Sequence, residues 1–287
     1  MENSELNIYK QELTLEEYSK LCSTIYNICG IHLQDTKKLT VEGRIRKRMK
    51  SLKMDSYSTY INYALSETGM KEELIPLIDV VTTNKTDFFR ENAHFEYLSQ
   101  TVLPNFIEKS RSRERGNYFQ FWSAGCSTGE EPYTLAIVLN EFAESNRDFR
   151  FMIYASDIST EVLKHASLGI YELDKADVIP SNYKKKYLLK SKNPEKQVVR
   201  FIPQVRSQIE FSRVNLMREA TDIPSNLDVI FCRNVIIYFD KKTQEQVLKR
   251  LASKLSPGGY LFLGHSETIM GIELPLTRVA STIYQKK

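Results

Sequence analysis

The sequence predicts an α/β protein in which a doubly wound, mostly parallel sheet follows an all-helical N-terminal part. From residue 117 onward, short β-prone segments alternate with helical segments. This alternation is typical of βαβ units, which place helices on both faces of a parallel sheet. Residues 1–79 show only helical patterns. The 287 residues are enough for two domains with substantial cores.

The N-terminal part is predicted to be a helical domain of its own. A capping box marks its first helix, because Thr14 stands three positions before Glu17. Apolar residues then recur at helical spacing as far as Gly30, a typical end of a helix. The polar, Thr-rich segment 80–92 predicts a linker, and residues 93–287 are predicted to form the second domain.

The composition excludes several classes of protein. Hydrophobic residues make up 41% and charged residues 26%, as in a soluble globular protein. No apolar run reaches the roughly 18 residues of a membrane span, and the N-terminus lacks the apolar segment of a signal peptide. The net charge of +4 is too small to indicate nucleic-acid binding. The four cysteines form no C-x-x-C pair, so no metal site is expected, and their scatter fits a reducing cytoplasm.

A helical segment at residues 37–53 carries eight basic residues and a single acidic one. Charge runs usually cover a solvated face of a helix. Cations of one sign repel each other, however, unless an acidic surface lies nearby. Two interpretations therefore stay open, a solvated face and a docking surface for an acidic partner. The candidate docking residues are Arg44, Arg46, Lys47 and Arg48.

The first predicted strand of the second domain ends in the loop SAGCSTGEEP, where Gly125 and Gly129 bracket small residues. Ligands bind beyond the carboxyl ends of strands in such sheets, and small residues let them approach the backbone. A tight packing turn would need the same small residues. The loop lacks the P-loop lysine, which disfavours phosphate. It ends in Glu130 and Glu131, whose carboxylates favour a cationic ligand or one with hydroxyl and amino donors.

Asp157 ends the second predicted strand, 28 residues beyond Gly129. An acidic residue at this place typically accepts hydrogen bonds from ribose hydroxyl groups. The alternative role is the N-cap of the following helix, for which Asp is also suited. The preceding glycine-bearing loop favours the ribose interpretation.

Two later strands also end in polar residues. Asn215 and Leu216 follow one of them, and an amide beside an apolar side chain suits the edge and face of adenine. Arg233 and Asn234 follow an apolar strand, with Tyr238 a turn further on. A buried arginine without a partner is costly, so an ion pair of this arginine with one of the two loop glutamates is the structural alternative.

Together these strand ends predict a nucleoside site with acidic surroundings that disfavour phosphate. S-adenosylmethionine has the matching chemistry, because it carries adenine, ribose, a cationic sulfonium and an amino-acid tail but no phosphate. The residues themselves therefore point to this molecule as the cofactor.

Six blocks of the sequence occur in the order of a known family's signature blocks. They are TTNKTDFFRE, WSAGCSTGEEPYTLA, ASDIS, VNL, FCRNVIIYFD and LSPGGYLFLGHSE. On these blocks the chain resembles the chemotaxis receptor methyltransferases (CheR family) over nearly its whole length. The resemblance implies the sheet of class I S-adenosylmethionine-dependent methyltransferases, with a small antiparallel β insertion at about residues 174–211. It also implies transfer of methyl groups to glutamate side chains of receptor cytoplasmic helices, which forms methyl esters in sensory adaptation.

The resemblance also assigns roles to residues in the matching blocks, and it makes the predicted linker part of the cofactor site. The implied cofactor-binding residues are Asn84, Thr86, Arg90, Glu131, Asp157, Asn215, Leu216, Arg233 and Asn234. Arg90 and Tyr238 are the expected catalytic residues, since arginine offers a carboxylate two hydrogen bonds and tyrosine offers one. The basic segment 37–53 would then dock the acidic receptor helices.

The expected partners are the receptor helices, with neither nucleic acid nor membrane insertion involved. In some members of the family, the β insertion holds a C-terminal receptor pentapeptide with a glycine-bearing loop. The corresponding stretch SKNPEKQVVR has no glycine, which argues against pentapeptide tethering. Two other functions stay open. A non-catalytic cofactor sensor or scaffold would have degenerate motifs, and a nucleic-acid methyltransferase would carry a sequence like N-P-P-Y in place of CRNVIIYF.

Overall fold

The computed structural model describes residues 11–82, 85–109, 116–193 and 195–287. These residues form two compact units. The helical unit comprises the first of these ranges together with Tyr238–Thr243, and the α/β unit comprises the rest. No helix in the described ranges is long and apolar enough to cross a membrane.

The helical unit is built from short helices. Their bounds are α1 Leu15–Cys29, α2 Lys38–Ser51, α3 Tyr57–Ala64, α4 Glu67–Glu72 and α5 Leu74–Val81, with a 3₁₀ turn at Asp35–Lys37 before α2. The predicted capping box is confirmed, since the Thr14 hydroxyl accepts from the Glu17 amide and the Glu17 carboxylate accepts from the Thr14 amide. Gly30 ends α1 in the left-handed conformation (φ 74°), as predicted.

This unit has its own apolar core, in which Leu21 of α1 and Ile45 of α2 are fully buried. Helices α1, α2, α3 and α5 turn apolar residues inward, as the spacing of those residues requires. Gly69 of α4 lies so close to α3 that an added Cβ would stand 1.9 Å from the carbonyl oxygen of Tyr63. Glycine is therefore required where these two helices meet.

The α/β unit contains a seven-stranded sheet and a three-stranded one. The strands are β1 Tyr118–Ala124, β2 Arg150–Asp157, β3 Ile170–Glu172, β4 Leu188–Lys190, β5 Val198–Phe201, β6 Ile209–Arg213, β7 Leu227–Cys232, β8 Leu255–Leu263, β9 Leu276–Ala280 and β10 Ile283–Lys286. The large sheet has the order β6-β2-β1-β7-β8-β10-β9, in which the first five strands are parallel and β10 and β9 form an antiparallel edge. The predicted fold class is confirmed.

Helices connect these strands. They are α6 Ala93–Tyr97, α7 Leu103–Lys109, α8 Glu130–Ser145, α9 Thr160–Leu168, α10 Ser181–Tyr187, α11 Pro203–Arg206 and α12 Lys241–Lys254, with a π-helical turn at Leu98–Val102 and 3₁₀ turns at Lys175–Val178 and Ile236–Tyr238. All six residues of β7 are buried, as expected for a central parallel strand covered on both faces. The rings of Phe231 on β7 and Phe262 on β8 stack at 4.4 Å between centroids and extend the core across the sheet.

The small sheet, in the order β3-β5-β4, is antiparallel, as predicted for the insertion. One predicted member of it lies elsewhere, because residues 209–213 pair in parallel with β2 at the edge of the large sheet. Alternation of inward and outward residues is the same for a strand in either sheet, so this pattern could not choose between them. β8 also begins at Leu255 rather than at 259, since Leu255 already pairs with Leu227.

Candidate active site

The strand order places a switch point beside β1, the strand that lies between β2 and β7. The chain leaves β1 toward β2 on one side, and β7 pairs with its other side. Loops diverge at such a point and open a crevice at the carboxyl ends of the strands. The predicted site residues at the ends of β1, β2 and β7 therefore converge here.

The glycine-bearing loop after β1 is held tightly against neighbouring elements. Gly125 (φ 79°) and Gly129 (φ 98°) adopt backbone conformations that other residues rarely reach. A Cβ on Gly125 would lie 2.4 Å from a methyl group of Val235, and one on Gly129 would lie 2.8 Å from the Tyr171 hydroxyl. The Gly125 amide donates to the Ser156 carbonyl at 2.7 Å, which fixes the loop to the end of β2. Packing and conformation both require the two glycines.

Asp157 links this loop to the next helix. Its carboxylate accepts from the backbone amides of Ser127 at 2.9 Å and Ser159 at 3.0 Å. The N-cap alternative is wrong, because Ser159 caps α9 and accepts from the amide of Val162 at 3.2 Å. Burial raises the pKa of Asp157 above its usual 3.8, although the amide donors act against this rise. Each carboxylate oxygen can accept a further hydrogen bond, so the group can still receive hydroxyl donors.

The two consecutive glutamates of the loop have different environments. Glu130 is fully buried, accepts from the Thr128 hydroxyl at 2.6 Å and forms an ion pair with Lys175 at 2.5 Å. Glu131 accepts from the Ser123 hydroxyl at 2.7 Å and pairs with Arg233 at 3.3 Å. Burial raises the pKa of Glu131, and Arg233 opposes that rise. Glu130 is thus occupied by the scaffold, while Glu131 belongs to the strand-end cluster.

Arg233 is the centre of a charged cluster, with a side chain only 2% exposed. Besides Glu131, it binds the Glu91 carboxylate at 3.1 Å and donates to the backbone carbonyl of Arg90. Its guanidinium also lies 5.3 Å from the centre of the Phe95 ring. The ion pair that the sequence left as the structural alternative for Arg233 is present. Two carboxylates and a carbonyl offset the cost of burying this cation.

The segment that leads into this cluster has an unusual backbone. Phe89 (φ 54°) and Glu91 (φ 55°) are left-handed, and so are Ser127 (φ 49°) and Asn234 (φ 59°) at the facing strand ends. Such conformations cost of order 1–3 kcal/mol each and are concentrated at functional sites. The Phe89 amide donates to the Thr134 hydroxyl of α8 at 3.2 Å, which holds the segment in place.

Arg90 lies between these strained residues and is half-buried. Its guanidinium donates to the Lys85 carbonyl at 3.0 Å, and its charge acts to lower the pKa of Glu131. Thr86 is half-buried in the same segment, whereas Asn84 lies outside the described residues. The structure therefore brings Arg90 close to the strand-end cluster.

Glu267 is a buried acidic residue beside the strand ends that the sequence analysis did not identify. Its carboxylate is 4% exposed and accepts four backbone amides, from Gly264 at 2.6 Å, Asn234 and Val235 at 2.9 Å and Ile237 at 3.3 Å. It thereby shapes the turn after β7. The acidic residue of the GHSE block, directly after a buried strand, was the available signal.

Glu91 was also missed. It accepts from Arg233 and, at 3.3 Å, from the side-chain amide of Asn234, so it joins the ends of the predicted linker and of β7. Burial acts to raise the pKa of Glu91, but Arg233 and the hydrogen-bond donors lower it overall, so the carboxylate is ionised. The signal was its place next to Arg90 in the FFRE block.

Asn215 and Leu216 follow β6 and form a tight turn, in which the Asn215 side chain accepts from the Met217 amide at 3.0 Å. Leu216 and Trp122 line a cleft of about 210 Å³ beside α12. Trp122 and the adjacent Ser123 point to opposite faces of β1, because side chains alternate along a strand. Of the two candidate adenosine residues, Leu216 therefore lies by the face of β1 opposite to Ser123, the partner of Glu131.

Tyr238 ends the 3₁₀ turn after β7 and is half-buried. Its carbonyl accepts from the His32 amide at 2.8 Å, and it belongs to the helical unit. Its catalytic role stays a prediction.

The basic segment forms α2, and three of its four candidate docking residues have partners inside the helical unit. Arg44 donates to backbone carbonyls near the end of α5, at 2.7 Å to that of Thr82. Arg46 pairs with Glu42 and Arg48 with Glu73, each at 2.7 Å. Lys47 is exposed, and no ion pair involves it in the part of the chain that the structure describes.

The hydrogen-bond acceptors at the strand ends fit S-adenosylmethionine. Three carboxylates, those of Glu91, Glu131 and Asp157, gather where a phosphate-binding protein would present cations and free amides. Carboxylates suit hydroxyl and ammonium donors and a nearby sulfonium.

Comparisons with known proteins agree with this chemistry. Residues 16–82 match the model of the all-alpha domain of CheR methyltransferases, and residues 84–285 match that of their SAM-binding domain. A chemotaxis protein methyltransferase of Borreliella burgdorferi is 41% identical over 94% of this chain and 92% of its own length. One from Salmonella typhimurium is 36% identical over 96% of this chain and 92% of its own length. The chain therefore belongs to the CheR methyltransferase family and is a methyltransferase with S-adenosylmethionine as its cofactor.

Proposed function

We propose that the protein transfers a methyl group from S-adenosylmethionine to glutamate side chains in the cytoplasmic helices of chemotaxis receptors, and so acts in the cytoplasm. The observation that carries the proposal is the carboxylate cluster around Arg233 at the switch point of the sheet. The relatives named chemotaxis protein methyltransferases support the same function.

In this proposal the strand ends bind different parts of the cofactor. Asp157 accepts the ribose hydroxyl groups, since its carboxylate is already oriented by two backbone amides. The Glu131 carboxylate accepts hydrogen bonds from the amino group of the cofactor's amino-acid part. Arg233 and Asn234 complete this part of the pocket. The other proposed contacts are Asn84, Thr86 and Arg90 from the linker and Asn215 and Leu216 near the adenosine.

The reaction needs no general base from the protein. A glutamate carboxylate has a pKa of about 4.3 and is ionised at neutral pH. When bound, the cofactor supplies an electrophilic methyl group on a cationic sulfur. The side chains of Arg90 and Tyr238 then align the acceptor carboxylate, because arginine can hold both of its oxygens and tyrosine can hold one. Alignment and exclusion of water are the protein's contributions.

For receptor docking we propose the exposed stripe of α2 formed by Leu39, Gly43 and Lys47, called here the α2 stripe. These residues follow each other at intervals of four, so they lie on one face of the helix. Leu39 is 79% exposed, and a Cβ on Gly43 would meet no atom of the described residues within 4 Å. A mid-helix glycine costs roughly 0.5–1 kcal/mol, and packing among the described residues does not explain it. Close approach of an acidic receptor helix, attracted by Lys47, does explain it.

The function is tested by incubating the protein with methyl-labelled S-adenosylmethionine and a receptor cytoplasmic fragment, followed by alkali. Methyl esters release volatile methanol under alkali, whereas N-methyl and S-methyl groups do not. Labelled methanol that requires the fragment supports the proposal. Cofactor binding without any label transfer would instead indicate a sensor or scaffold, and label on added nucleic acid would indicate a different acceptor.

A further inference from the structure

Two histidines and a carboxylate meet beside the strand-end cluster. His94 Nδ1 lies 3.6 Å from the Glu91 Oε2 atom, and His265 Nε2 lies 3.9 Å from the same oxygen. All three ligand-type atoms lie within 4.8 Å of one another. Imidazole nitrogens and a carboxylate oxygen are the ligands that zinc and related transition metals prefer.

The hydrogen bonds of His94 direct a lone pair into this cluster. The residue is 2% exposed, and its Nε2 lies 3.0 Å from the Thr282 hydroxyl. In the tautomer in which Nε2 donates to this hydroxyl, Nδ1 carries the lone pair of the ring. Nδ1 has no hydrogen-bond partner within the described ranges. A lone pair that faces a carboxylate at 3.6 Å requires a cation or a donor between them.

Glu91 is oriented toward the same point by its own donors. Arg233 donates to Oε2 at 3.1 Å and Asn234 donates to Oε1 at 3.3 Å. The His265 ring lies beside the same carboxylate, with its Nε2 atom 3.9 Å from Oε2. Each carboxylate oxygen retains a second lone pair. Outer partners of this kind characteristically orient the ligands of a metal ion.

We propose that Glu91, His94 and His265 bind one divalent transition-metal ion of the zinc class through Oε2, Nδ1 and Nε2. Tetrahedral ligands at about 2.0–2.1 Å stand roughly 3.4 Å apart, so no pair of these atoms has to approach by more than about 1.4 Å. The His265 side chain is 55% exposed and can make this movement. The fourth position opens toward solvent. The sequence shows no complete metal motif because Glu91 and His94 lie three positions apart, whereas His265 comes from a distant segment.

The site also predicts antagonism with the cofactor, and this part rests on the proposed function. The metal ion would add two positive charges beside Arg233, whose carboxylate partners Glu91 and Glu131 form the acidic surroundings proposed for a cationic cofactor. Like charges within a few ångströms of each other repel, and the buried side of the site screens this repulsion less than water does. Metal binding and cofactor binding should therefore weaken each other by the same factor.

The binding test uses the full chain without cofactor, so it does not depend on methyl transfer. Zn²⁺ is titrated in competition with a chromogenic chelator, and Co²⁺ is added separately to record its visible spectrum. We expect one equivalent to bind and His265→Ala to weaken the affinity at least tenfold. The control His165→Ala removes an exposed histidine outside the cluster and should leave the affinity unchanged. Equal affinities of the wild type and His265→Ala would overturn the site.

The Co²⁺ spectrum separates this site from adventitious binding by cysteine. Cys22 is partly accessible, whereas the other three cysteines are buried. A site of two histidines and a carboxylate gives no thiolate-to-metal charge-transfer band, so the appearance of that band would overturn the assignment. Far-UV circular dichroism confirms that the exposed substitution leaves the fold intact.

The antagonism is measured as the affinity for labelled S-adenosylmethionine with and without Zn²⁺. We expect Zn²⁺ to weaken cofactor binding at least tenfold in the wild type and in His165→Ala, but not in His265→Ala. A cofactor affinity that Zn²⁺ leaves unchanged in the wild type would overturn the antagonism alone. Absence of any cofactor affinity would count against the proposed function, while the chelator titration would still decide the metal site.

Discussion

Helix α2 and the carboxyl edge of the large sheet are both rich in charged residues, but they use them differently. In α2, Arg46 and Arg48 pair with Glu42 and Glu73, and these bonds hold the helical unit together. At the sheet edge, Arg233 also pairs with carboxylates, yet those carboxylates retain unused lone pairs toward the crevice. A run of charge in a sequence is therefore not a measure of charge available to a partner. What remains available depends on the pairs formed inside the fold.

Replacing Arg90 tests the sheet edge with the largest expected effect. Arg90→Ala should reduce kcat/KM for the receptor fragment by roughly 100-fold or more, because the acceptor loses its positioning group. The fold should persist, since the contact to Arg233 uses the backbone carbonyl of Arg90. The measurement is transfer of labelled methyl groups, with Lys85→Ala as a control at an exposed neighbour. Unchanged turnover in Arg90→Ala would remove this residue from the mechanism.

Removing Arg48 tests the structural use of charge in α2. Its guanidinium holds both oxygens of Glu73, at 2.8 and 2.7 Å, and Glu73 is 1% exposed. Arg48→Ala leaves a buried carboxylate without its cation, so we expect a loss of about 3 kcal/mol in unfolding free energy. Urea denaturation followed by far-UV circular dichroism measures this loss. The adjacent Lys47→Ala should change stability by less than about 0.5 kcal/mol. Equal losses of unfolding free energy in Arg48→Ala and Lys47→Ala would show that the ion pair of Arg48 does not stabilise the helical unit.

The pH dependence of cofactor binding tests Asp157. Its carboxylate can accept two ribose hydroxyl donors only when ionised, and burial raises its pKa above 3.8. The affinity for S-adenosylmethionine should therefore fall as the pH is lowered through a midpoint above 3.8. Asp157→Asn should bind about tenfold more weakly at neutral pH, as expected for a hydrogen bond to a charged group. Its acid limb should be shallower and should come from Glu131 alone, whose pKa is also raised by burial. The exposed Asp148→Asn serves as the control, and an identical acid limb in all three proteins would exclude Asp157.

Reversing one charge tests the α2 stripe. Lys47→Glu should raise KM for the receptor fragment severalfold at low salt, and the difference should shrink as salt screens it. Lys164→Glu makes the same change at an exposed lysine on α9 and should have little effect. If both variants respond alike, the effect comes from net charge and the stripe is not a docking surface.

Gly43→Ala should give the smallest effect, and it should separate the structural role of α2 from a role in receptor binding. The new Cβ meets no atom within 4 Å, so the helix should gain roughly 0.5–1 kcal/mol of stability. If a receptor helix approaches at Gly43, the same substitution raises KM while it stabilises the fold. Denaturation and methyl-transfer kinetics measure the two effects. A stabilised variant with unchanged KM would leave α2 with a purely structural role.

Much of the fold could be predicted from local patterns. The Thr14–Glu17 capping box, the stop at Gly30 and the alternation of strands and helices all appear in the structure because short-range rules dictate them. The sheet to which residues 209–213 belong could not be predicted. A strand of either sheet has side chains that alternate with a period of two, so the sequence pattern is the same for both. Only pairing with β2 decides between the two sheets.

The candidate site also has some features that the sequence determined and others that only the tertiary structure decided. The sequence alone determined which residues end the strands, among them Asp157 and Arg233, and it determined that their chemistry suits a cationic nucleoside without phosphate. Only the tertiary structure decided that Arg233 pairs with Glu91 and Glu131, that Glu267 holds the turn after β7, and that His94 and His265 meet. The physical reason is distance along the chain. These partners lie tens to more than a hundred positions apart or in separate segments, and only a folded sheet brings their charges within a few ångströms.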